Sequence, residues 1–328
     1  MRQVMQIWRL AALGLLCAAA AQAATPGQPI PLPALAIEAA RFEEPLVPTV
    51  PTSAAEDADL LAAIRQYHAA AAVDDLSALE GFVAGHPQSG WRLAVLTNLG
   101  LADFHYGYIS RAIDAFDRAW REGQPATEPR AKALADRAVG ELLRLHAGLA
   151  HVDAVAALLA QTEGRGLSGR ASEWRDGAKE ELSQLRHDLG IPCGLTSLRN
   201  LLLARGAPPA QMARIETYRL GPGGMPLSEV GRLATTAGLA HRLILRRPGE
   251  PVPVPSVMHW QVRHFSAIVG ARNGRYELAD PTFGTAHLWL TQAAIDAEGS
   301  GYFLVPDAQP TAAWRDVSLE EAAQVRGR

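Results

Sequence analysis

Three side chains in the second half of the chain have the types and the order needed for covalent chemistry on a carbonyl group: Cys193, His264 and Asp280. A nucleophilic thiol needs surroundings that favour the thiolate, a base that takes its proton, and a third group that orients the base. Cys193 begins an amphipathic stretch that stops at Gly206, which predicts a helix with the cysteine in its first turn. The free N–H groups and the dipole at that end stabilise a thiolate. Gly194 is expected to leave the backbone open to an approaching carbonyl.

The residues around His264 and Asp280 predict two strands joined by a tight turn. An apolar run follows His264, a second strand-like run ends just before Asp280, and Asn273-Gly274 between them is a strong hairpin signal. The sixteen-residue separation of His264 and Asp280 matches about two seven-residue strands plus a two-residue turn. The hairpin therefore places both side chains at one end of a sheet. With Cys193 they predict a cysteine-hydrolase triad of nucleophile, base and orienting group.

The elements after residue 190 predict helices first and an antiparallel sheet afterwards. Two helices are expected, at 193–205 and 226–238, each stopped by a glycine. Strand-like runs follow at 241–246, 254–260, 264–269, 275–279, 287–290 and 302–305. This order is typical of an α+β domain.

Five short motifs follow one another in this half of the chain. They are Cys-Gly at 193–194, Gly-Met-Pro-Leu-Ser-Glu-Val at 224–230, His-Trp at 259–260, His-Phe at 264–265 and Asp-Pro-Thr-Phe-Gly at 280–284. Their order resembles that of the bacteriocin-processing cysteine peptidases, papain-like domains that remove double-glycine leaders in certain exporters. The resemblance covers about residues 185–324. It implies a papain-like fold with Cys193 as nucleophile, His264 as general base and Asp280 as the third triad member.

Three further runs resemble the exported forms of these peptidases that occur beside or within bacterial YD-repeat proteins. They are Pro-Val-Pro-Ser-Val at 253–257, Gly-Tyr-Phe-Leu-Val-Pro at 301–306 and Trp-Arg-Asp-Val at 314–317. The resemblance implies a protein or peptide substrate and makes a YD-repeat protein a candidate partner.

One position departs from the pattern of the family. Its members usually carry a glutamine six residues before the cysteine, whose amide donates into the oxyanion hole, and here that position is His187. A histidine can donate a hydrogen bond, and Gln184 lies one helical turn earlier, so both are candidate oxyanion donors. Pro192 also stands where an acid is usual. Because losing one oxyanion donor costs on the order of 10²–10³ in rate, a catalytically degenerate domain remains an alternative.

The first 23 residues predict a secretory signal peptide. Arg2 and Arg9 precede an apolar run at 10–20, and small residues at 21–23 suit cleavage. Cleavage would also remove Cys17, so the exported product, in the periplasm or outside the cell, would carry one cysteine and no internal disulfide. No later apolar run is long enough to span a bilayer.

The charge balance argues against a nucleic-acid partner. The chain has 31 basic and 34 acidic residues, and loss of the two arginines of the signal peptide makes the balance more acidic.

The chain is predicted to have three parts after the signal peptide. Residues 24–55 are a proline-rich lead-in expected to be extended or disordered, 56–184 an all-helical region, and 185–328 the α+β domain. In the helical region a pair of residues recurs after 34 positions: Ala78 and Phe82, then Ala112 and Phe116. This spacing resembles the tetratricopeptide repeat, which implies a concave surface for a peptide or a partner protein. An ordinary helical bundle with coincidental spacing is the alternative.

The histidines do not predict a metal site. His259 and His264 are five residues apart, strand alternation puts them on opposite faces, and no third ligand is evident. The histidines of the helical region lack ligand spacing on one helical face: His68, His86, His105, His146 and His151. We expect neither a metal nor a cofactor.

Three functions fit these residues. The first is an exported cysteine peptidase whose helical repeats recruit a protein substrate. The second uses the same acyl-enzyme but transfers the acyl group to an amine, as in transglutaminase-like enzymes. The third is non-enzymatic: a degenerate peptidase fold that, with the repeats, binds a polypeptide such as a YD-repeat protein.

Overall fold

The structure is a computed structural model that describes residues 42–186, 192–218, 224–283, 287–307 and 312–327. The predicted signal peptide, the lead-in before residue 42 and His187 lie outside the described residues. Within them, no helix combines the length and apolarity needed to cross a membrane.

The first half of the described chain consists of helices that pack on their sequence neighbours. They are α1 (Ala54–Ala69), α2 (Ser77–Gly85), α3 (Arg92–Tyr106), α4 (Ile109–Gly123), α5 (Pro129–Gly148), α6 (Val152–Gln161) and α7 (Arg170–Arg186). Helices α3 and α4 approach closely because Gly100 has no side chain. A Cβ on Gly100 would lie 2.6 Å from the ring of Phe116.

The end of the lead-in packs on these helices without forming a helix or strand. The backbone N–H of Glu44 donates to Asn98 Oδ1 at 3.0 Å, and Asn98 Nδ2 donates back to the Glu44 carbonyl at 3.0 Å. Residues 42–53 have bends and no regular secondary structure, and Glu44 ties them to α3.

The second half combines shorter helices with strands. The helices are α8 (Cys193–Ala204), α9 (Pro209–Ala213), α10 (Leu227–Thr236), α11 (Gln292–Glu298) and α12 (Leu319–Ala322). The strands are β1 (Met225–Pro226), β2 (His241–Arg246), β3 (Ser256–Trp260), β4 (His264–Arg272), β5 (Arg275–Ala279), β6 (Leu288–Thr291), β7 (Gly299–Pro306), β8 (Trp314–Asp316) and β9 (Arg326–Gly327). The larger sheet is antiparallel with the order β6-β5-β4-β3-β7-β2-β8, and β1 pairs with β9 separately. The chain is an α+β protein, as predicted.

The hairpin that joins β4 to β5 has the predicted turn. Asn273 and Gly274 have φ values of 52° and 72°, and positive values at both positions define the turn that favours Asn-Gly. The predicted strands at 241–246 and 275–279 are confirmed residue for residue. Strands β4 and β7 run further than predicted.

The two faces of the larger sheet are covered by different parts of the chain. Phe265 and Ala267 of β4 join a core with α8 and α10, whereas Trp260 and Ile268 belong to the core of the helical region. Alternation along the strands produces this division, because successive side chains point to opposite faces. The sheet is thus the middle layer between two sets of helices.

Polar contacts fasten the helical region to the sheet layer. Glu298 accepts hydrogen bonds from the backbone N–H of Ser110 at 2.8 Å and from its hydroxyl at 2.9 Å. Burial raises the pKa of Glu298, and the Ser110 hydrogen bonds oppose that rise. His151 Nε2 lies 3.1 Å from the Val262 carbonyl, in the turn between β3 and β4. The turn that leads into His264 is therefore anchored on the helical region.

Candidate functional site

Cys193 is the first residue of α8 and is almost buried. The residue before it, Pro192, has an extended backbone and provides no side-chain cap. The first N–H groups of α8 therefore have no acceptor within the helix. Cys193 is 6% exposed. The thiol therefore lies at the positive end of a helix, where a thiolate is stabilised.

Gly194 has a different role from the one predicted. The position of its missing side chain is filled by the neighbouring cleft wall: a Cβ there would lie 2.8 Å from Val230 and closer still to the Met225 sulfur. Gly194 therefore lets α8 pack against β1 and α10, and the predicted access of a substrate to its backbone stays a prediction.

His264 and Asp280 form a buried ion pair. His264 Nε2 donates to Asp280 Oδ2 at 2.7 Å, and the two side chains are 1% and 4% exposed. Because Nε2 is occupied by Asp280, Nδ1 is the nitrogen left for the thiol of Cys193. Nδ1 is buried and has no hydrogen bond of standard geometry to any described residue. Cys193 is nonetheless close enough to contribute to the raised pKa of His264.

The charges around His264 favour its protonated form. Burial alone would lower the pKa of His264, but the Asp280 carboxylate and then Cys193 outweigh it and raise that pKa to about 10. Burial likewise works to raise the pKa of Asp280, and the nearby His264 charge and hydrogen bonds overcome it, so this pKa is lowered. At neutral pH the pair is an imidazolium beside a carboxylate, with the remaining N–H directed toward the thiol side.

Asp280 is held by groups that the sequence interpretation missed. Ser266 donates a short hydrogen bond to Asp280 Oδ2, and the Thr282 N–H donates to Oδ1 at 2.9 Å. Trp260 Nε1 donates to the Ser266 hydroxyl at 2.7 Å. The period-two spacing of His264 and Ser266, which puts both on one face of β4, was the available signal. Trp260 is a fully buried core residue, and it also orients this chain of hydrogen bonds.

Two side chains of α8 clasp the helix to the strands that carry the base and the carboxylate. The Ser197 hydroxyl lies 2.8 Å from both the Cys193 and the Phe265 carbonyls, between which its single proton is shared. Asn200 Nδ2 donates to the Ala279 carbonyl at 2.9 Å. The nucleophile is thereby fixed relative to both partners.

Of the two candidate oxyanion donors, the structure describes only Gln184. His187 lies outside the described residues. Gln184 belongs to α7, and its amide donates to Glu180 Oε1 at 3.0 Å, one turn earlier on the same helix.

His259 lies on the face of the sheet opposite His264, as predicted, but the two residues belong to different strands. The two residues lie on adjacent strands: His264 pairs with Trp260, and His259 pairs with Phe265. Burial lowers the pKa of His259 to about 4, so its ring is neutral at pH 7. Its Nδ1 is 2.8 Å from the Ser300 hydroxyl, and its Nε2 is 2.9 Å from the Arg326 carbonyl. Among the described residues, no cluster of His, Cys, Asp and Glu has a metal-binding arrangement.

Strand β9 crosses the site directly beside the thiol. A Cβ on Gly327 would lie 2.9 Å from Cys193 Sγ and 2.6 Å from the ring of Phe265. A cavity of about 410 Å³ adjoins this strand, lined by residues that include His259, Tyr302 and Arg326.

A thiol at a helix N-terminus beside a buried imidazolium–carboxylate pair is the arrangement that thiol-based acyl chemistry requires. The fold that carries it is α+β, with the nucleophile on a helix and the other two groups on an antiparallel hairpin.

Comparison with solved structures finds two similar chains. One is a double glycine motif protease from an AMS/PCAT transporter in complex with its leader peptide. It has 21% sequence identity and a TM-score of 0.30, over 37% of this chain and 86% of the other. The second is the N-terminal peptidase C39-like domain of a toxin secretion ATP-binding protein from Vibrio parahaemolyticus. It has 14% identity and a TM-score of 0.31, over 37% of this chain and 99% of the other. No protein-family model and no curated protein matches the chain. Function is therefore inferred from the geometry of the site.

Proposed function

We propose that the protein is an exported cysteine peptidase that cleaves a peptide bond in a protein substrate through Cys193, His264 and Asp280. The observation that carries the proposal is the buried His264–Asp280 pair, whose second ring nitrogen is left for a thiol at the start of α8. A structural ion pair alone would not need a thiol at a helix N-terminus beside it.

The proposed reaction begins with attack of the Cys193 thiolate on the substrate carbonyl carbon. The imidazolium of His264 gives its Nδ1 proton to the leaving amine, the C–N bond breaks, and a thioester to Cys193 remains. A water molecule then attacks the thioester, gives one proton to His264 and its other proton to solvent, and the C–S bond breaks to release the substrate carboxylate and the thiolate. Asp280 fixes the imidazole through Nε2 in every step.

The backbone at the start of α8 supports the proposed oxyanion site. The N–H groups of the first helical turn have no acceptor within the helix and are directed out of its N-terminal end. They are candidate donors to the developing oxyanion. His187 stays a further candidate, six residues before the nucleophile.

The helical region is proposed to recruit the substrate or a partner protein, for which a YD-repeat protein is the candidate. A cavity of about 810 Å³ between these helices and the β5–β6 edge of the sheet supports this proposal. Arg170 and Trp174 come from the helices, and Arg272 and Trp289 from the strands. The guanidinium of Arg272 lies 5.2 Å from the Trp289 ring centre. Such a mixture of aromatic and cationic groups suits a polypeptide with acidic and apolar side chains.

The test is cleavage of a defined peptide library, with new termini identified by mass spectrometry. The wild type and Gly327→Val are compared with Cys193→Ala and His264→Ala, because a side chain at residue 327 collides with the thiol region and would open it. Termini that depend on both Cys193 and His264 are expected. If no terminus depends on Cys193 even in the opened variant, the peptidase proposal is wrong.

A binding module is the second candidate, and one observation favours it: Cys193 is almost buried under the chain's own β9. A partner that binds Cys193→Ala and wild type with equal affinity, without any cleavage product, would support this alternative. Adding a primary amine to the library reaction separates acyl transfer from hydrolysis, because transfer would leave the amine attached to the new carboxyl terminus.

A further inference from the structure

The segment that ends in β9 lies in the cleft as a peptide ligand would. Met225 pairs with Gly327 and Pro226 pairs with Arg326 in antiparallel register. The Leu227 N–H donates to the Val325 carbonyl at 2.8 Å, which extends the pairing by one residue. Pairing an extended segment with a free strand edge is a recurrent way of binding peptides.

Side chains of the cleft also receive this segment. His259, neutral at pH 7, donates through Nε2 to the Arg326 carbonyl at 2.9 Å. Val325 is buried, whereas the Arg326 side chain is exposed. The alternation of buried and exposed positions is that of an extended chain with one face on the protein.

The contact at Gly327 brings this segment to the reacting atom. Residue 327 is buried, and the space where its Cβ would be is occupied by the Cys193 sulfur and the Phe265 ring. Glycine is the residue that fits here without displacing either. The segment therefore covers the thiol with backbone alone.

We infer that residues 324–327 occupy the substrate site of this protein and compete with an external peptide for the thiol of Cys193. The inference rests on the proposed function for the identity of the site as a substrate cleft. The strand edge at β1 and the His259 ring form the backbone-binding surface, and the occupant in this structure is the chain's own segment.

The contacts of residues 324–327 cover the thiol in this structure, but they are few enough for the segment to be displaced. Strand β9 is two residues long, and the preceding helix α12 has four residues with Ser318 as its N-cap. A ladder this short opens locally at far lower free energy than the whole fold. An external peptide at sufficient concentration can therefore replace it.

The experiment measures the rate at which iodoacetamide alkylates Cys193 in the full, folded chain. Gly327→Val should raise the rate by at least tenfold over wild type, because the new side chain cannot coexist with the sulfur and the Phe265 ring. Gly166→Val is the matched control, since a Cβ at Gly166 meets nothing within 4 Å. Its rate should equal that of the wild type.

A second variant and a competitor keep the test decisive. Val325→Ala removes part of the buried anchor without creating a clash and should raise the rate severalfold. A synthetic peptide with the sequence of residues 319–327 should slow alkylation of Gly327→Val again. Equal rates in wild type, Gly327→Val and Val325→Ala, all folded by near-ultraviolet circular dichroism, would overturn the inference. The readout does not need peptide cleavage, so failure of the proposed peptidase activity would be a separate result.

Discussion

At the scale of single residues, the site depends on how the charge of His264 is maintained inside the protein. A buried imidazolium is costly unless a carboxylate compensates it. Asp280 does so here, and its own oxygens are satisfied by Ser266 and the Thr282 N–H. The ion pair is thus part of the stability of the fold as well as of the proposed chemistry.

Asp280→Asn tests this charge balance through the pH dependence of stability. Folded His264 keeps its proton up to a pKa of about 10, whereas an unfolded histidine loses it near its ordinary pKa of 6.5. The folded state therefore binds the extra proton between these values. The contribution of the pair is complete below pH 6.5 and is lost as pH rises through 10, by at most about 1.4 kcal/mol per pH unit. The difference in unfolding free energy between wild type and Asp280→Asn should shrink from pH 7 to pH 10 in urea titrations.

The matched control for this measurement is Asp316→Asn. Asp316 is an exposed carboxylate that pairs with Arg242 at the surface. Its effect should stay below about 1 kcal/mol and change little over the same pH range. If the difference in unfolding free energy between wild type and Asp280→Asn also changed little between pH 7 and pH 10, the assigned charge of His264 would be contradicted.

Ser266→Ala tests the support of Asp280. The change removes a donor to Asp280 and leaves the Trp260 N–H without its acceptor, so we expect a loss of about 1–3 kcal/mol in unfolding free energy. Less precise orientation of the pair should also slow alkylation in the Gly327→Val background by about tenfold. Ser172→Ala, at a surface hydroxyl that bonds to the Gly169 carbonyl, should do neither. Unchanged stability and alkylation in Ser266→Ala would show that Ser266 does not support the carboxylate.

The residues that sequence reasoning brought together were those linked by a short, well-defined turn. Asn273-Gly274 fixes the register of β4 and β5, and the register determines the positions of His264 and Asp280. The contact between Ser266 and Trp260 was not predicted because it depends on the pairing of β3 with β4. The approach of Gly327 to Cys193 depends on pairing across about a hundred residues, for which the sequence has no local signal.

At the scale of elements, helix packing depends on glycines at close approaches. Gly100→Ala should destabilise the protein by about 1–3 kcal/mol because its Cβ would overlap the Phe116 ring. The helix preference for alanine, worth about 1 kcal/mol, offsets only part of this. Gly177→Ala in α7 meets nothing within 4 Å and should stabilise by about 0.5–1 kcal/mol. Changes of opposite sign in the unfolding free energy, measured in urea, would confirm the close packing of Gly100 on Phe116. Stabilisation by both substitutions would contradict it.

Element boundaries show what periodicity can and cannot predict. The predicted start of α8 at Cys193 is confirmed because a proline precedes it and an amphipathic pattern follows. Strand β7 begins three residues before the prediction, at Gly299, since its first residues pair with Trp260 at an irregular point of the sheet. Tertiary pairing, and not local preference, extends that strand.

At the scale of the whole molecule, the helical region braces the loop that carries Asp280. The Phe283 ring contacts the His264 ring with centroids 5.8 Å apart, and it also meets the Phe104 ring of α3 with centroids 6.3 Å apart. Gly148, at the end of α5, packs on Thr282, where a Cβ would lie 2.9 Å from the Thr282 methyl group. The helices thus contact the residues that follow Asp280, and they also line the cavity proposed to recruit substrate.

Gly148→Val tests this support from a distance. The added side chain should push Thr282, weaken its N–H bond to Asp280 and slow alkylation in the Gly327→Val background by about tenfold. Gly81→Val in α2, where a Cβ meets nothing within 4 Å, is the control and should leave the rate unchanged. Equal rates for both variants would show that the helical region does not help to position the carboxylate.

The strand order of the larger sheet determines when the cleft can exist during synthesis of the chain. Strands β3 to β6 form one block of neighbours in chain order, but β2 joins this block only through β7, which pairs with both β3 and β2. The β4–β5 hairpin with His264 and Asp280 can form early from local contacts. The wall that contains α10 and β1 reaches the sheet through α8 and β4 as well as through β2, and the β2 side of it must wait for residues 299–306. A ribosome-bound chain that lacks β7 and β8 therefore holds His264 and Asp280 on their hairpin while β2 still has no partner in the sheet.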